Sequence, residues 1–137
     1  MRGAVPRRLF SVGVLAMTSV HACAAEPASP QGAWVAEEIG GATPVPGEAA
    51  SLEIGADGAV SGSTGCNRFR GRAEIGTGTL TFSPLATTRM ACPGPAMEQE
   101  RRFLEALAAS RRYRVEAGML TLLGADGGAL ARFRRGV

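Results

Sequence analysis

The sequence predicts a small α+β domain that is mainly β: a curled antiparallel sheet or partly open barrel with one principal α-helix packed on it. Gly and Pro account for 19 and 8 of the 137 residues, which suits short strands joined by tight turns. Asp-Gly occurs twice between alternating apolar residues, a strong hairpin signal. A single segment, residues 96–111, has convincing helical periodicity. Strands before and after one helix predict that the helix packs on a sheet.

The N-terminal segment predicts export. Residues 1–8 contain three Arg and no acidic residue, and residues 9–22 form a mostly apolar run. The run is too short to span a bilayer comfortably as a helix, and a basic start followed by a short apolar run is the layout of a secretory signal. We therefore predict a signal peptide over residues 1–22, a Pro-containing tether over 23–32 and a folded domain over 33–137.

Two interpretations of the cleavage site remain open. The segment Val20-His21-Ala22-Cys23 resembles a bacterial lipobox, although His21 is unusual there. In that case Cys23 receives lipid and anchors an outer-membrane lipoprotein that faces the periplasm. Ala22-Cys23-Ala24 instead satisfies the small-x-small rule for ordinary signal peptidase, which would release a soluble periplasmic protein. An odd cysteine in an exported chain needs an explanation, and lipidation of Cys23 supplies one.

The predicted mature chain has no surplus of positive charge. The full chain has 15 basic and 12 acidic residues, but Arg2, Arg7 and Arg8 lie in the predicted signal peptide, and their removal leaves twelve of each sign. A nucleic-acid-binding protein needs a positive surplus to release counterions from phosphates. We therefore expect no nucleic-acid partner.

The strands of the domain are predicted from alternation and turn residues. Trp34 is expected to anchor the core from the first strand. Asp57-Gly58 and Asp126-Gly127 each turn a hairpin, because both positions of such a turn tolerate positive φ. The predicted strands cover residues 33–39, 51–54, 59–62, 67–75, 79–83, 113–116, 119–123 and 129–134.

The predicted helix, residues 96–111, starts after Pro93 and Pro95. Its early acidic residues and the late Arg111 and Arg112 are expected to complement the helix dipole. One apolar stripe is expected to pack on the sheet. It consists of Phe103, Leu104, Leu107 and Ala108.

The segment from Gly62 to Pro93 resembles the META/HslJ-like domain family. Residues 62–71 read GSTGCNRFRG and residues 88–92 read TRMAC, which match the family's G-x-x-G-C-N-x-F-x-G and T-x-M-x-C stretches. The helix carries the third motif, E-x-x-F-x-x-A-L, at Glu100, Phe103, Ala106 and Leu107. The resemblance covers about residues 33–134. It implies a compact antiparallel β-structure with one principal helix and an envelope role linked to stress tolerance, often as a lipoprotein, but no known reaction.

The two motifs each contain one cysteine of the predicted domain. Export to an oxidising compartment favours disulfides, and with this placement we predict a disulfide between Cys66 and Cys92. It would close a loop of about 26 residues and contribute about 3 kcal/mol in the chain-entropy model.

The other motif residues divide into architectural and exposed ones. Phe69 and Met90 are expected in the core. The motif glycines, Gly62, Gly65 and Gly71, are expected at turns or close backbone approaches. Arg68, Thr88 and Arg89 are the exposed polar members; they are candidates for an interaction with a partner, and the alternative is a structural hydrogen-bond role.

The sequence predicts no enzyme, cofactor or metal site. The single histidine, His21, lies in the predicted signal peptide, so the predicted mature domain lacks a Ser/His/Asp or Cys/His nucleophile pair. Two cysteines also fall short of a closed zinc site. We expect a monomeric, non-enzymatic cell-envelope protein, membrane-bound through its lipid, that meets an unknown envelope protein or ligand and supports envelope integrity or stress tolerance. The alternative is a small periplasmic binding protein or inhibitor that acts on an apolar ligand or an envelope enzyme.

Overall fold

The structure is a computed structural model that describes residues 2–6, 13 and 28–136. Cys23, nearly all of the predicted signal peptide and the first half of the predicted tether lie outside the described residues. None of the helices in the described part of the chain is long and apolar enough to cross a bilayer.

Residues 28–136 form nine strands and one helix. The strands are β1 (Gly32–Ile39), β2 (Ser51–Ile54), β3 (Ala59–Ser63), β4 (Arg68–Ile75), β5 (Leu80–Phe82), β6 (Ala86–Thr87), β7 (Arg112–Glu116), β8 (Met119–Leu123) and β9 (Ala129–Arg135), and the helix α1 (Gly94–Ala109) lies between β6 and β7.

The strands form a nearly closed antiparallel barrel. Their order is β5-β4-β3-β2-β1-β9-β8-β7, with β6 paired to β4. The two end strands also meet, because the Leu80 N–H donates to the Arg111 carbonyl at 3.1 Å and the Tyr113 N–H donates to the Gly78 carbonyl at 3.2 Å. Closure satisfies backbone groups that an open edge would leave unpaired. The predicted fold class is confirmed.

Strand β1 shows how a bulge keeps the apolar residues inside. Trp34 and Ala36 are buried by simple alternation. The register against β9 then shifts between Ala36 and Glu38. The extra residue of such a bulge reverses the alternation, so Ile39 is buried and Glu38 is directed toward the solvent side.

Helix α1 packs its buried face against the inner side of the barrel. Phe103 is fully buried, and its ring centroid lies 5.5 Å from that of Phe69 on β4 and 6.0 Å from that of Phe133 on β9. Phe103 therefore links two halves of the sheet that are distant in sequence. The core consists of Trp34, Ala36, Ile39, Ala50, Leu52, Ile54, Val60, Phe69, Ala73, Leu80, Phe103, Ala106, Leu107, Leu120, Leu122, Ala131 and Phe133.

The helix is displaced by two residues from its predicted bounds. It has Pro93 at its N-cap and Ser110 at its C-cap, with no acidic residue in the first turn and no basic residue in the last. The expectation that side-chain charges complement the dipole is therefore wrong. Arg111, just beyond the helix, instead donates to the Ala108 carbonyl at 3.0 Å. Ala108 itself is exposed, and Ala106 is buried on the apolar face.

The segment before the helix also differs from expectation. Strand β6 was not predicted, and Met90, expected in the core, is 61% exposed. The Asn67 side chain accepts from the Met90 N–H at 2.7 Å and donates to the Met90 carbonyl at 3.2 Å. Because the Met90 backbone is held by Asn67, its side chain lies on the solvent side.

Candidate functional site at the disulfide-linked motifs

The two motifs are joined covalently. Cys66 and Cys92 form a disulfide with a Cα–Cα distance of 6.0 Å and a sequence separation of 26, which confirms the predicted pairing. The bond connects the loop before β4 to the segment before α1. The Met97 Sδ lies 3.6 Å from the Cys66 Sγ, so the helix also covers the disulfide.

Asn67 is the centre of the hydrogen-bond network beside the disulfide. It is 2% exposed. Its Nδ2 donates to the Glu100 Oε1 at 2.8 Å as well as to Met90, and its Oδ1 accepts from the Thr88 hydroxyl at 2.9 Å as well as from Met90. One amide side chain thus holds the second motif and the helix to the first motif.

Thr64 and Glu100 complete the network on the helix side. The buried Thr64 hydroxyl donates to the Glu100 Oε1 at 2.9 Å and accepts from the Asn67 N–H at 2.9 Å. The Glu100 carboxylate therefore has two neutral donors, Thr64 and Asn67. This arrangement explains why the residue one turn before Phe103 has a side-chain oxygen that can accept two hydrogen bonds.

Gln99 belongs to the network but lies outside the three sequence motifs. It is 5% exposed. Its Oε1 accepts from the Val45 N–H at 2.7 Å, and its Nε2 donates to the Glu48 and Thr64 carbonyls at 2.7 and 2.9 Å. It ties the long β1–β2 loop to the first motif. The available signal was its helical spacing from Phe103, which places a polar side chain on the apolar face.

Two motif glycines are required by close backbone packing. A Cβ at Gly62 would lie 2.1 Å from the Ser51 carbonyl oxygen and 2.7 Å from the Phe69 ring. Gly65 has φ +98°, and a Cβ there would lie 2.7 Å from the Glu48 carbonyl oxygen. Only glycine leaves room for these neighbours at either position.

The buried polar atoms of the network are hydrogen-bonded. In the described part of the chain, no buried side-chain nitrogen or oxygen lacks a hydrogen-bond partner. The described residues also contain no group of three or more His, Cys, Asp and Glu side chains arranged to hold a metal ion. The disulfide and these hydrogen bonds connect the loop before β4, the segment 88–92 and the helix, and together they form the clasp.

The three predicted interaction residues have different surroundings. All are exposed. Thr88 is part of the clasp, because its hydroxyl accepts from the Arg68 N–H at 3.0 Å while it donates to Asn67. Arg68 and Thr88 line a groove on the outer face of the sheet, and Arg89 is not among the residues that line it.

The groove has a volume of about 1090 Å³ and is lined by residues of six strands, β9, β1, β2, β3, β4 and β6. The strand registers place its outward residues in two rows. The first is Arg134, Val35, Ser51, Ser63 and Arg68, and the second is Ala33, Glu53, Ser61 and Arg70.

Comparison with known protein families identifies the domain that contains these motifs. The sequence model of the META domain family matches residues 26–137. The chain belongs to the META domain family. The match begins before β1 and covers all the elements of this META domain, including the clasp.

A curated relative shares part of the META domain. It is the heat shock protein HslJ of Escherichia coli strain K12, with 39% identity over 64 residues. The aligned segment covers 46% of this chain and 45% of HslJ, so the chain spans less than half the length of that relative.

Solved structures with the same fold cover most of the META domain. An NMR structure of a protein from Burkholderia xenovorans is 27% identical and covers 88% of this chain and 97% of its own, with a TM-score of 0.65. A second NMR structure is 29% identical and covers 76% and 88%, with a TM-score of 0.61. A crystal structure of a DUF4847 family protein from Bacteroides vulgatus has a TM-score of 0.61 and covers 77% and 93%, and at 15% identity it supports the fold alone.

Proposed function

We propose that this META domain protein is an exported, lipid-anchored component of the bacterial cell envelope that supports envelope integrity under stress and has no catalytic activity. The observation that carries the proposal is the clasp. The polar motif residues Thr64, Asn67 and Glu100 bond to one another and to the backbone. These bonds hold the motifs to each other, and the buried side-chain nitrogen and oxygen atoms among them already have hydrogen-bond partners.

The disulfide supports the export part of the proposal. Structural disulfides form and persist in oxidising compartments such as the periplasm. The bond between Cys66 and Cys92 lies within the clasp, and the basic and apolar N-terminal segments precede the domain. Cys23 remains as the third cysteine, which fits a lipid-modified mature N-terminus.

The stress-related part of the proposal rests on similarity. The curated relative is named a heat shock protein. A small rigid domain tied to the membrane fits a protein that must stay folded when the envelope is perturbed. The similarity covers less than half of that relative, so the role needs a direct test.

The test is a deletion strain of the native host, challenged with heat and with a membrane-perturbing detergent. We expect the deletion strain to lose viability under challenge and the intact gene to restore it. A Cys23→Ala gene should restore less, because its product lacks the lipid. Growth of the deletion strain indistinguishable from the parent under both challenges would contradict the proposal.

A second candidate function, binding of an apolar ligand, is favoured by one cleft. It has a volume of about 400 Å³, and it lies between the β5–β6 connection and α1. Its lining includes Phe82, Leu85, Leu104 and Ala108. Saturable binding of the apolar dye 1-anilinonaphthalene-8-sulfonate, abolished by Leu104→Glu in a folded variant, would favour this candidate over the first.

A further inference from the structure

The outer groove has two cationic walls and a floor of small residues. In its first row, Arg134 and Arg68 lie at the two ends, and Val35, Ser51 and Ser63 lie between them. Four strand spacings separate the end residues, which is at most about 19 Å between their Cα atoms because the sheet curves. Arginine side chains are long enough to lean over such a floor from both sides, so the groove is wide and positively charged at its rim.

The charge of the groove is only partly neutralised. Three arginines line it, Arg68, Arg70 and Arg134, against one carboxylate, Glu53. The Arg134 Nε lies 3.4 Å from the Glu37 Oε1. Within residues 28–136, neither Arg68 nor Arg70 forms an ion pair. Two guanidinium groups on one strand are therefore available for an anionic partner.

The floor of the groove adds two serine hydroxyls that can donate hydrogen bonds to a ligand. The Ser51 Oγ accepts from the Ser63 N–H at 3.2 Å, and the Ser63 Oγ accepts from the Gly65 N–H at 3.1 Å. In the described part of the chain, the proton of neither hydroxyl is donated to an acceptor. Guanidinium groups with nearby hydroxyl donors match the oxygen atoms of a phosphate.

The groove lies where the tether joins the domain. Strand β1 begins at Gly32, and its next residue, Ala33, lines the groove. If Cys23 carries lipid, as proposed above, about ten residues of tether span at most about 35 Å. The groove then lies within reach of the headgroups of the leaflet that holds the anchor.

We propose that this groove binds the phosphate-bearing headgroup of an anionic lipid. Its volume of about 1090 Å³ is far larger than a free phosphate requires and is at the upper end of known ligand sites. The positive charge of the arginines favours an anionic ligand. The position of the groove beside the tether favours a lipid of the membrane as that ligand. The part about the neighbouring leaflet rests on the proposed lipid anchor, whereas the headgroup site itself does not.

The test uses the chain from Ala24 to Val137 without lipid, which retains every strand and the helix. Binding is measured by co-sedimentation with vesicles of phosphatidylcholine alone and with vesicles that contain phosphatidylglycerol. We expect binding to the second type only, weaker at high salt because exposed charges are screened. This chain carries no lipid anchor. A failure to bind the vesicles would therefore not contradict the proposed lipidation of Cys23, and binding would not require that lipidation.

Arg68→Gln/Arg70→Gln is the main variant. Its matched control is Arg112→Gln/Arg114→Gln, which removes the same charge from exposed residues two apart on strand β7, outside the groove. The first variant should lose at least about tenfold in affinity, the size of one charged hydrogen bond, and the control should lose less than about twofold. Glu53→Gln should bind more tightly, because it removes the one carboxylate of the groove. Matching thermal unfolding confirms that each variant is folded.

Three outcomes would overturn the proposal. Equal loss in the two double variants would show that net charge alone drives the association. Binding to a poly-glutamate peptide without binding to phosphatidylglycerol vesicles would identify an acidic protein partner instead. Displacement of the chain from the vesicles by inorganic phosphate, at a concentration equal to that of phosphatidylglycerol, would show that the groove binds free phosphate and does not prefer a lipid.

Discussion

Asn67, the one asparagine of the chain, determines how the two motifs meet. Its side chain makes five hydrogen bonds, which reach Cys66, Met90, Thr88 and Glu100. An aspartate offers no donors and an alanine offers neither donor nor acceptor. Asparagine fits this position because the buried side chain must both donate and accept hydrogen bonds.

Asn67→Ala is expected to lower the free energy of unfolding by about 2 to 3 kcal/mol, because it leaves buried polar partners unsatisfied. The measurement is urea denaturation with the disulfide intact. Thr77→Ala, in an exposed turn, is the control and should change stability by less than about 0.5 kcal/mol. A loss from Asn67→Ala as small as that of the control would show that the clasp does not stabilise the fold.

Gly62→Ala is expected to cost about 1 to 3 kcal/mol, because the new Cβ would clash with the Ser51 carbonyl and force backbone movement. Gly94→Ala is the matched control, since a Cβ there meets nothing within 4 Å. Thermal unfolding compares the two. Equal melting temperatures for both variants would contradict the close packing at Gly62.

At the scale of elements, strand positions were predictable and helix ends were not. Trp34 and Asp57-Gly58 carry local signals, alternation and turn chemistry, that survive in the folded structure. The helix begins two residues before its predicted start because Pro95 fits within the first turn, where a backbone N–H has no acceptor in the helix and its absence costs nothing. Strand β6 depends on its pairing with Phe69 and Arg70 of β4, and the exposure of Met90 depends on its contacts with Asn67. Both partners are more than 15 residues away, and such contacts have no local signal.

Phe103 is the residue through which the helix is fixed to the sheet. Phe103→Ala is expected to lower the free energy of unfolding by about 3 to 5 kcal/mol, because the ring leaves a cavity between Phe69 and Phe133. Denaturant unfolding measures the change. The neighbouring Leu104→Ala is the control and should cost clearly less, because Leu104 is only partly buried. A loss below about 1 kcal/mol for Phe103→Ala would contradict its central place.

At the scale of the whole molecule, barrel closure and the groove were beyond the reach of the sequence. Both depend on the pairing of β1 with β9, almost a hundred residues apart, and on the approach of β5 to β7. The rows that bring Arg68 and Arg134 to one groove follow from those registers. The predicted interaction residues Arg68 and Thr88 fall on its rim, but Arg70 and Arg134 were not predicted because single strands do not reveal their neighbours.

The disulfide links the sheet to the helix segment. Removal of both cysteines, as Cys66→Ala/Cys92→Ala, is expected to lower the free energy of unfolding by about 3 kcal/mol, because the unfolded chain regains the entropy of the loop. Urea denaturation measures this, with reduced wild-type protein as the control. The reduced protein should behave like the variant. Unchanged stability in both would show that the clasp holds without the covalent bond.

Export and lipid anchoring of this protein are tested together by intact mass spectrometry of the protein from the native envelope. We predict a mature chain that begins at Cys23, carries acyl groups on that residue and lacks two hydrogens because Cys66 and Cys92 are joined. An unmodified chain that begins at Ala25 would mean ordinary cleavage and a free periplasmic protein. A chain that still begins at Met1, with three free thiols, would contradict both export and anchoring.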